Sequence, residues 1–261
     1  HSDFQLLKDA GLNMDGIETI DGGRTFRWHG RYEGDMAQAI TIETQQNVLD
    51  GYQPKVPAAW WAPRVLFLAN NHPSIQSHVL DQCEGAKYTA LDSMNLWIDT
   101  AFEELSGVLR RIDLAILNDN EVRMIAEDEN LIRAGESIRS GEALTGGKEV
   151  GSGPDILIIK KGEHGCVALT DFGILTLPAF PTSELIDPTG CGDSFAGTLL
   201  TFLSETEELN PSLEELHNAL IHATVTASFT LSQFGVAGIV ELERGEYHAR
   251  LDTYRRMVGL L

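Results

Sequence analysis

The chain has 261 residues, with Lys plus Arg 19 and Asp plus Glu 39, so its formal charge is −20. That excess argues against binding nucleic acid or an anionic membrane through a broad electrostatic footprint, and any phosphate site must work through local dipoles and cations. Cys83, Cys166 and Cys191 are far apart and form neither a metal-ligand spacing nor a disulfide framework, which points to a reduced, cytoplasmic setting. No apolar run approaches the ~20 residues needed to span a bilayer.

Phe4 to Leu12 reads as a short helix closed by Gly11. Arg24 to Tyr32 then alternates, with Phe26, Trp28 and Tyr32 on one face and Arg27, His29 and Arg31 on the other, as in a strand with one polar face. From residue 64 the rhythm becomes strand, helix, strand, helix. Strands are expected at Arg64–Ala69, Tyr88–Asp92 and Ile112–Leu117, with helices from Ser74 to about Cys83 and from Thr100 to Arg110. Such alternation implies a parallel sheet covered by helices on both faces, with ligands gathering at the carboxyl ends of the strands.

Asn118 ends one of those strands, and Glu121 lies one turn into the helix that follows. Two readings stand side by side. The pair can form a helix cap, with Glu121 completing a capping box, or it can converge on a hydrated hard cation. Further on, Gly141 and Gly146 have the spacing of a Walker A loop, but Gly147 stands where lysine is required, so the segment reads as a linker. Asp155–Ile159 is the next strand, and it runs into Lys160-Lys161-Gly162-Glu163-His164-Gly165. Cys166–Leu169 turns back from there as in a hairpin. Another strand, Gly173–Phe180, leads toward Asp187.

Asp187-Pro188-Thr189-Gly190-Cys191-Gly192-Asp193 carries the strongest chemistry. Phe195, Leu199, Phe202 and Leu203 after it mark the apolar face of a helix. Glycines at its start leave main-chain N–H groups uncovered, a concavity suited to anionic oxygens. Asp193 stands beside that cradle, where a carboxylate can take the proton of an alcohol that attacks a phosphoryl group. The plain alternative is a glycine-rich turn with a capping aspartate. A helix from Pro211 to about Ser232 follows, whose Ala219, Ala223 and Ala227 suit close packing or a flat ligand, and a helix near Glu246–Met257 ends the chain.

These residues resemble the ribokinase-like carbohydrate kinases of the PfkB family, whose signature D-x-x-G-A/C-G-D-x-F is met by Asp187, Gly190, Cys191, Gly192, Asp193 and Phe195. The resemblance implies a three-layer α/β/α fold with a mainly parallel central sheet and a small β-sheet lid. Residues 1–50 would then supply part of the lid and a first helix, and residues 51–261 the nucleotide-binding and catalytic core. It implies ATP and Mg²⁺, with Asp193 as base and the Gly190, Cys191 and Gly192 amides as anion hole. Asn118, Lys160, Gly162 and Gly165 would border the nucleotide, and Glu121 would hold Mg²⁺ through water. Asp187 and Thr189 would border a monovalent cation such as K⁺. The acceptor would be a hydroxymethyl group of a sugar or nucleoside, and a homodimer would form through the lid. Cys191, the less usual residue at its position, invites alkylation. The sugar-binding opening segment of the family has no match, so the chain is expected to begin after it. That leaves a catalytically silent scaffold or nucleotide-binding subunit as the alternative.

Overall fold

The structure is a computed structural model that describes residues 2–33, 39–145 and 152–260. Most of the glycine-rich segment read as a linker, residues 146–151, lies outside them. In chain order the elements are α1 (Ser2–Asp9), β1 (Arg27–Tyr32), β2 (Ala39–Gln45), β3 (Leu66–Leu68), α2 (Pro73–Gln82), β4 (Thr89–Asp92), α3 (Asn95–Thr100) and α4 (Phe102–Leu109). Then come β5 (Leu114–Asn118), α5 (Asp119–Ala126), α6 (Leu131–Arg139), β6 (Ile156–Lys160), β7 (Cys166–Thr170) and β8 (Gly173–Leu177). The chain ends in α7 (Cys191–Glu205), α8 (Leu213–Thr230), α9 (Ala237–Val240) and α10 (Arg244–Met257).

The central sheet has the order β3-β4-β5-β6-β7-β8. Strands β3 to β6 run parallel, while β7 and β8 are antiparallel additions, so the sheet is mixed but mostly parallel. The hairpin between β6 and β7 is tight because Gly165, at φ +83°, reverses the chain where it passes the Leu177–Pro178 backbone. A Cβ on Gly165 would lie 1.9 Å from the Leu177 carbonyl oxygen, so no other residue fits.

Successive residues of each strand point to opposite faces, and the core divides accordingly. Leu114, Ile116, Ile156 and Ile158 face one cluster with Phe195, Leu199, Leu220 and Tyr254 from α7, α8 and α10. Ala115, Leu117, Leu157 and Ile159 face the other, built on α2, α4, α5 and α6. Both clusters are almost fully buried, and each Leu or Ile withdrawn this way contributes about 1.5–3 kcal/mol. The small residues of α8 serve close packing: Ala219 and Ala223 are buried in the first cluster.

The helix expected from Thr100 to Arg110 is α4, Phe102–Leu109; helix α3 before it was not anticipated, and Ala101, whose φ of −145° and ψ of 38° are not helical, separates the two. Strand β2 was not anticipated. It pairs antiparallel with β1 in a separate two-stranded sheet, with a register shift between His29 and Gly30. The Trp28 ring lies across Gly30, 2.2 Å from where a Cβ would sit, so a side chain there would require the ring to move.

Candidate active site

The parallel strands β4, β5 and β6 end together, in Asp92, Asn118 and Lys160. Asn118 pairs with Lys160 across the β5–β6 ladder. The start of α7 closes over these strand ends. Gly190 is its N-cap, in the left-handed region at φ +87°, a conformation that favours glycine. Its helix is 15 residues long, so the partial positive charge of its N-terminus is fully developed.

The turn itself is ordered from within. Asp187 Oδ1 accepts from the Thr189 N–H at 2.9 Å, and the Cys191 N–H donates to the Pro188 carbonyl at 3.2 Å. Of the three expected donors only the Cys191 amide is engaged; Gly190 and Gly192 meet no protein acceptor among the described residues, and Asp193 adds a further free N–H. A hydrogen bond between the Tyr32 hydroxyl and Thr189 Oγ1 ties the small sheet to this turn.

Asp193 projects from the first turn of α7 and is exposed. Partial desolvation and the nearby Asp92 charge push its carboxyl above the ordinary aspartate range, while Lys160 pulls it down. Lys160 Nζ sits 3.2 Å from both carboxylate oxygens of Asp92, and that ion pair is largely buried. Glu121 is buried too. Desolvation raises it to about 7, with Lys160 opposing and Asp92 and Asp119 assisting. One ammonium thus faces three carboxylates, those of Asp92, Glu121 and Asp193.

Asn118 and Glu121 do form the capping box: the Glu121 N–H donates to Asn118 Oδ1, and Glu121 accepts from both the Asn118 N–H and Nδ2. The cap reading is realised, and it leaves each Glu121 oxygen with one donor. Gly162 and Gly165 frame the short 3₁₀ turn after Lys160, both with positive φ. Asp187 and Thr189 stand together at the turn, but among the described residues no three metal-ligating carboxylate, imidazole or thiolate side chains converge. Cys191 departs from expectation. Burial and the charges of Asp187 and Asp193 push its thiol up to about 11, so it stays protonated and is a poor nucleophile.

Asp92 was missed as a site residue. The usable signal was its place directly after the apolar run of β4, the same feature that marked Asn118 and Lys160.

Residues 72–242 match the pfkB family carbohydrate kinase model, which spans the strand ends, the turn and α7. The chain belongs to the pfkB family of carbohydrate kinases. A cytidine kinase of Thermococcus kodakarensis is 24% identical to it over 203 residues, covering 76% of this chain and 68% of that protein. The nucleoside kinase of Burkholderia thailandensis, solved with inosine, superposes with a TM-score of 0.72 at 15% identity, covering 97% of this chain and 76% of that one. The aminoimidazole riboside kinase of Salmonella enterica, solved with aminoimidazole riboside and an ATP analogue, gives 0.69 at 16% identity, covering 95% and 80%. These pfkB-family and ribokinase-like neighbours share the three-layer α/β/α fold described above.

Proposed function

We propose that this pfkB-family chain is an ATP-dependent phosphotransferase that phosphorylates a hydroxymethyl group of a nucleoside or sugar. One observation carries the reading: Asp193 stands in the helix turn whose Gly192 and Asp193 amides are uncommitted, so base and anion site are one local unit. The cytidine kinase relative and the nucleoside-bound neighbour favour a nucleoside as acceptor.

Asp193 accepts the proton of the attacking hydroxyl, and its raised pKa makes it a stronger base than an ordinary aspartate. The main-chain donors at the α7 start hold the oxygens of the moving phosphoryl group, where charge develops. Lys160, Gly162 and Gly165 border the rest of the phosphate chain, with Asn118 behind them. A divalent cation, when bound, offsets charge on the phosphate oxygens. Glu121 is the carboxylate that would hold it through water, each of its oxygens accepting one hydrogen bond from Asn118 and keeping a lone pair for that water. Asp187 and Thr189 are the residues that would border a monovalent cation. In this reading residues 1–50 act as lid and 51–261 as core, in a cytoplasmic setting. A homodimer would use the exposed Ile40 and Ile42 of the lid sheet.

The test is ADP release from MgATP with a panel of nucleosides and sugars. Acceptor-dependent release supports the kinase; thermal stabilisation by MgATP with no release for any acceptor favours the nucleotide-binding subunit instead.

A further inference from the structure

Asp92 and Lys160 belong to strands that are not neighbours, since β5 lies between β4 and β6. Two strand spacings separate them by about 10 Å, a gap the long lysine side chain bridges across the end of β5. The contact is symmetric, at 3.2 Å to each carboxylate oxygen. Asp92 is itself fixed from inside the sheet. Gln76, only 2% exposed, donates to its carbonyl oxygen, and the Ser93 N–H donates to Oδ1 at 2.9 Å.

Folding does not explain this pair. The cost of desolvating two charges generally offsets their attraction, so a buried ion pair adds little net stability. The surroundings are also polar beyond the pair's needs: Gln76 Oε1 and Ser93 Oγ, flanking Asp92, are buried with no protein partner. The position is specific. A Cβ added to Gly192 would lie 3.2 Å from Lys160 Nζ and 4.0 Å from Asp92 Oδ2, so the ammonium rests directly against the turn whose amides face the anion site. The other charges acting on the ammonium are Glu121 from the β5–α5 corner and Asp193 from α7, and Asp119 acts in turn on Glu121.

We infer that Asp92 is a positioning residue, holding the Lys160 ammonium against the Gly190–Asp193 turn so that a fixed positive charge reinforces the main-chain anion site. The inference takes from the kinase reading only the nature of the anion, a terminal phosphoryl group. Without the Asp92 carboxylate, the ammonium is drawn instead to Glu121 at the β5–α5 corner or onto the Asp193 carboxylate, and no longer rests against Gly192 behind the amides. The pair thereby supplies locally the positive charge that a protein of net −20 lacks globally.

The test is a double-mutant cycle on the full chain, read by calorimetric binding of inorganic tripolyphosphate. Lys160→Met is expected to weaken binding about tenfold in the wild-type background and less than about threefold in Asp92→Asn, because the lysine is no longer held at the turn. Asp92→Glu, which restores a carboxylate, is expected to recover most of the Lys160 effect. Equal losses in both backgrounds, or no loss with Lys160→Met, would overturn the inference. So would a wild-type chain that binds neither tripolyphosphate nor ATP. If Lys160→Met does not fold, Lys160→Gln, which still donates to Asp92, takes its place in the cycle. A chain that shows the expected cycle yet releases no ADP with any acceptor keeps the pair and removes the kinase reading.

Discussion

The Tyr32 hydroxyl lies 3.2 Å from Thr189 Oγ1, joining the last residue of β1 to the turn that opens α7. The two residues are 157 positions apart, so this contact couples the small sheet to the candidate anion site. Tyr32 is half-buried and Thr189 exposed, and a hydrogen bond in that setting contributes about 0.5–1.5 kcal/mol. Tyr32→Phe is therefore expected to raise the KM for the acceptor roughly two- to tenfold, with a smaller change in kcat. Steady-state kinetics at saturating ATP would check it; an unchanged KM would remove the sheet from acceptor binding.

Two glycines separate fold from chemistry. At Gly165 an alanine Cβ meets main-chain atoms that cannot move independently, at a positive φ, so Gly165→Ala should cost about 3 kcal/mol or more. Gly192 has ordinary helical geometry, and alanine there favours the helix by up to about 1 kcal/mol. Its methyl group would nevertheless press on the Lys160 ammonium, 3.2 Å from the added Cβ, and shift it slightly off the turn. Gly192→Ala should keep or raise Tm while lowering turnover, a contrast that thermal unfolding and ADP release together resolve.

His222 supplies a pH-dependent element of stability. It stacks on Phe202 at 4.0 Å, and its Nδ1 is 2.6 Å from the Tyr247 hydroxyl. Arg255, which can only donate, lies 3.5 Å from Nε2, so the neutral ring carries its proton on Nδ1 and donates it to Tyr247. Desolvation first, then the charges of Arg255 and His248, lower its pKa to about 4. The unfolded chain binds the proton more readily, so this stabilisation is present above pH 6.5 and is lost as the pH falls toward 4. Up to roughly 3 kcal/mol is involved. Urea unfolding of wild type and His222→Gln at several pH values should show a steeper acid loss in the wild type; parallel curves would refute it.

Cys191 should resist alkylation. A thiol held near 11 is almost wholly protonated at neutral pH, and its Sγ lies 3.6 Å from the Ala227 carbonyl. Iodoacetamide labelling at pH 7.5, followed by mass spectrometry, should be slower at Cys191 than for a free cysteine. Faster labelling would mean that the helix N-terminus outweighs burial and the neighbouring carboxylates.

The site was legible where its chemistry is local. An anion cradle at a helix start needs glycines and a nearby acid in consecutive positions, and residues 187–195 show them in one glance. The hairpin after Lys160 was legible for the same reason, through Gly162 and Gly165. The Asp92–Lys160 contact was not, because strand order rather than sequence spacing brings the two residues together over 68 positions. Nor was helix α3, a six-residue element whose N-cap, Met94, makes no side-chain capping hydrogen bond. Strand β2 escaped because its alternation, Ile40 and Ile42 against Thr41 and Glu43, covers only a few residues.

The central claim is that Asp193 is the base beside a main-chain phosphoryl site, and Asp193→Asn tests it with almost no change of shape. The account predicts that the variant binds ATP as the wild type does while acceptor-dependent ADP release falls by about 10²–10⁴-fold. Wild-type turnover in Asp193→Asn would contradict it.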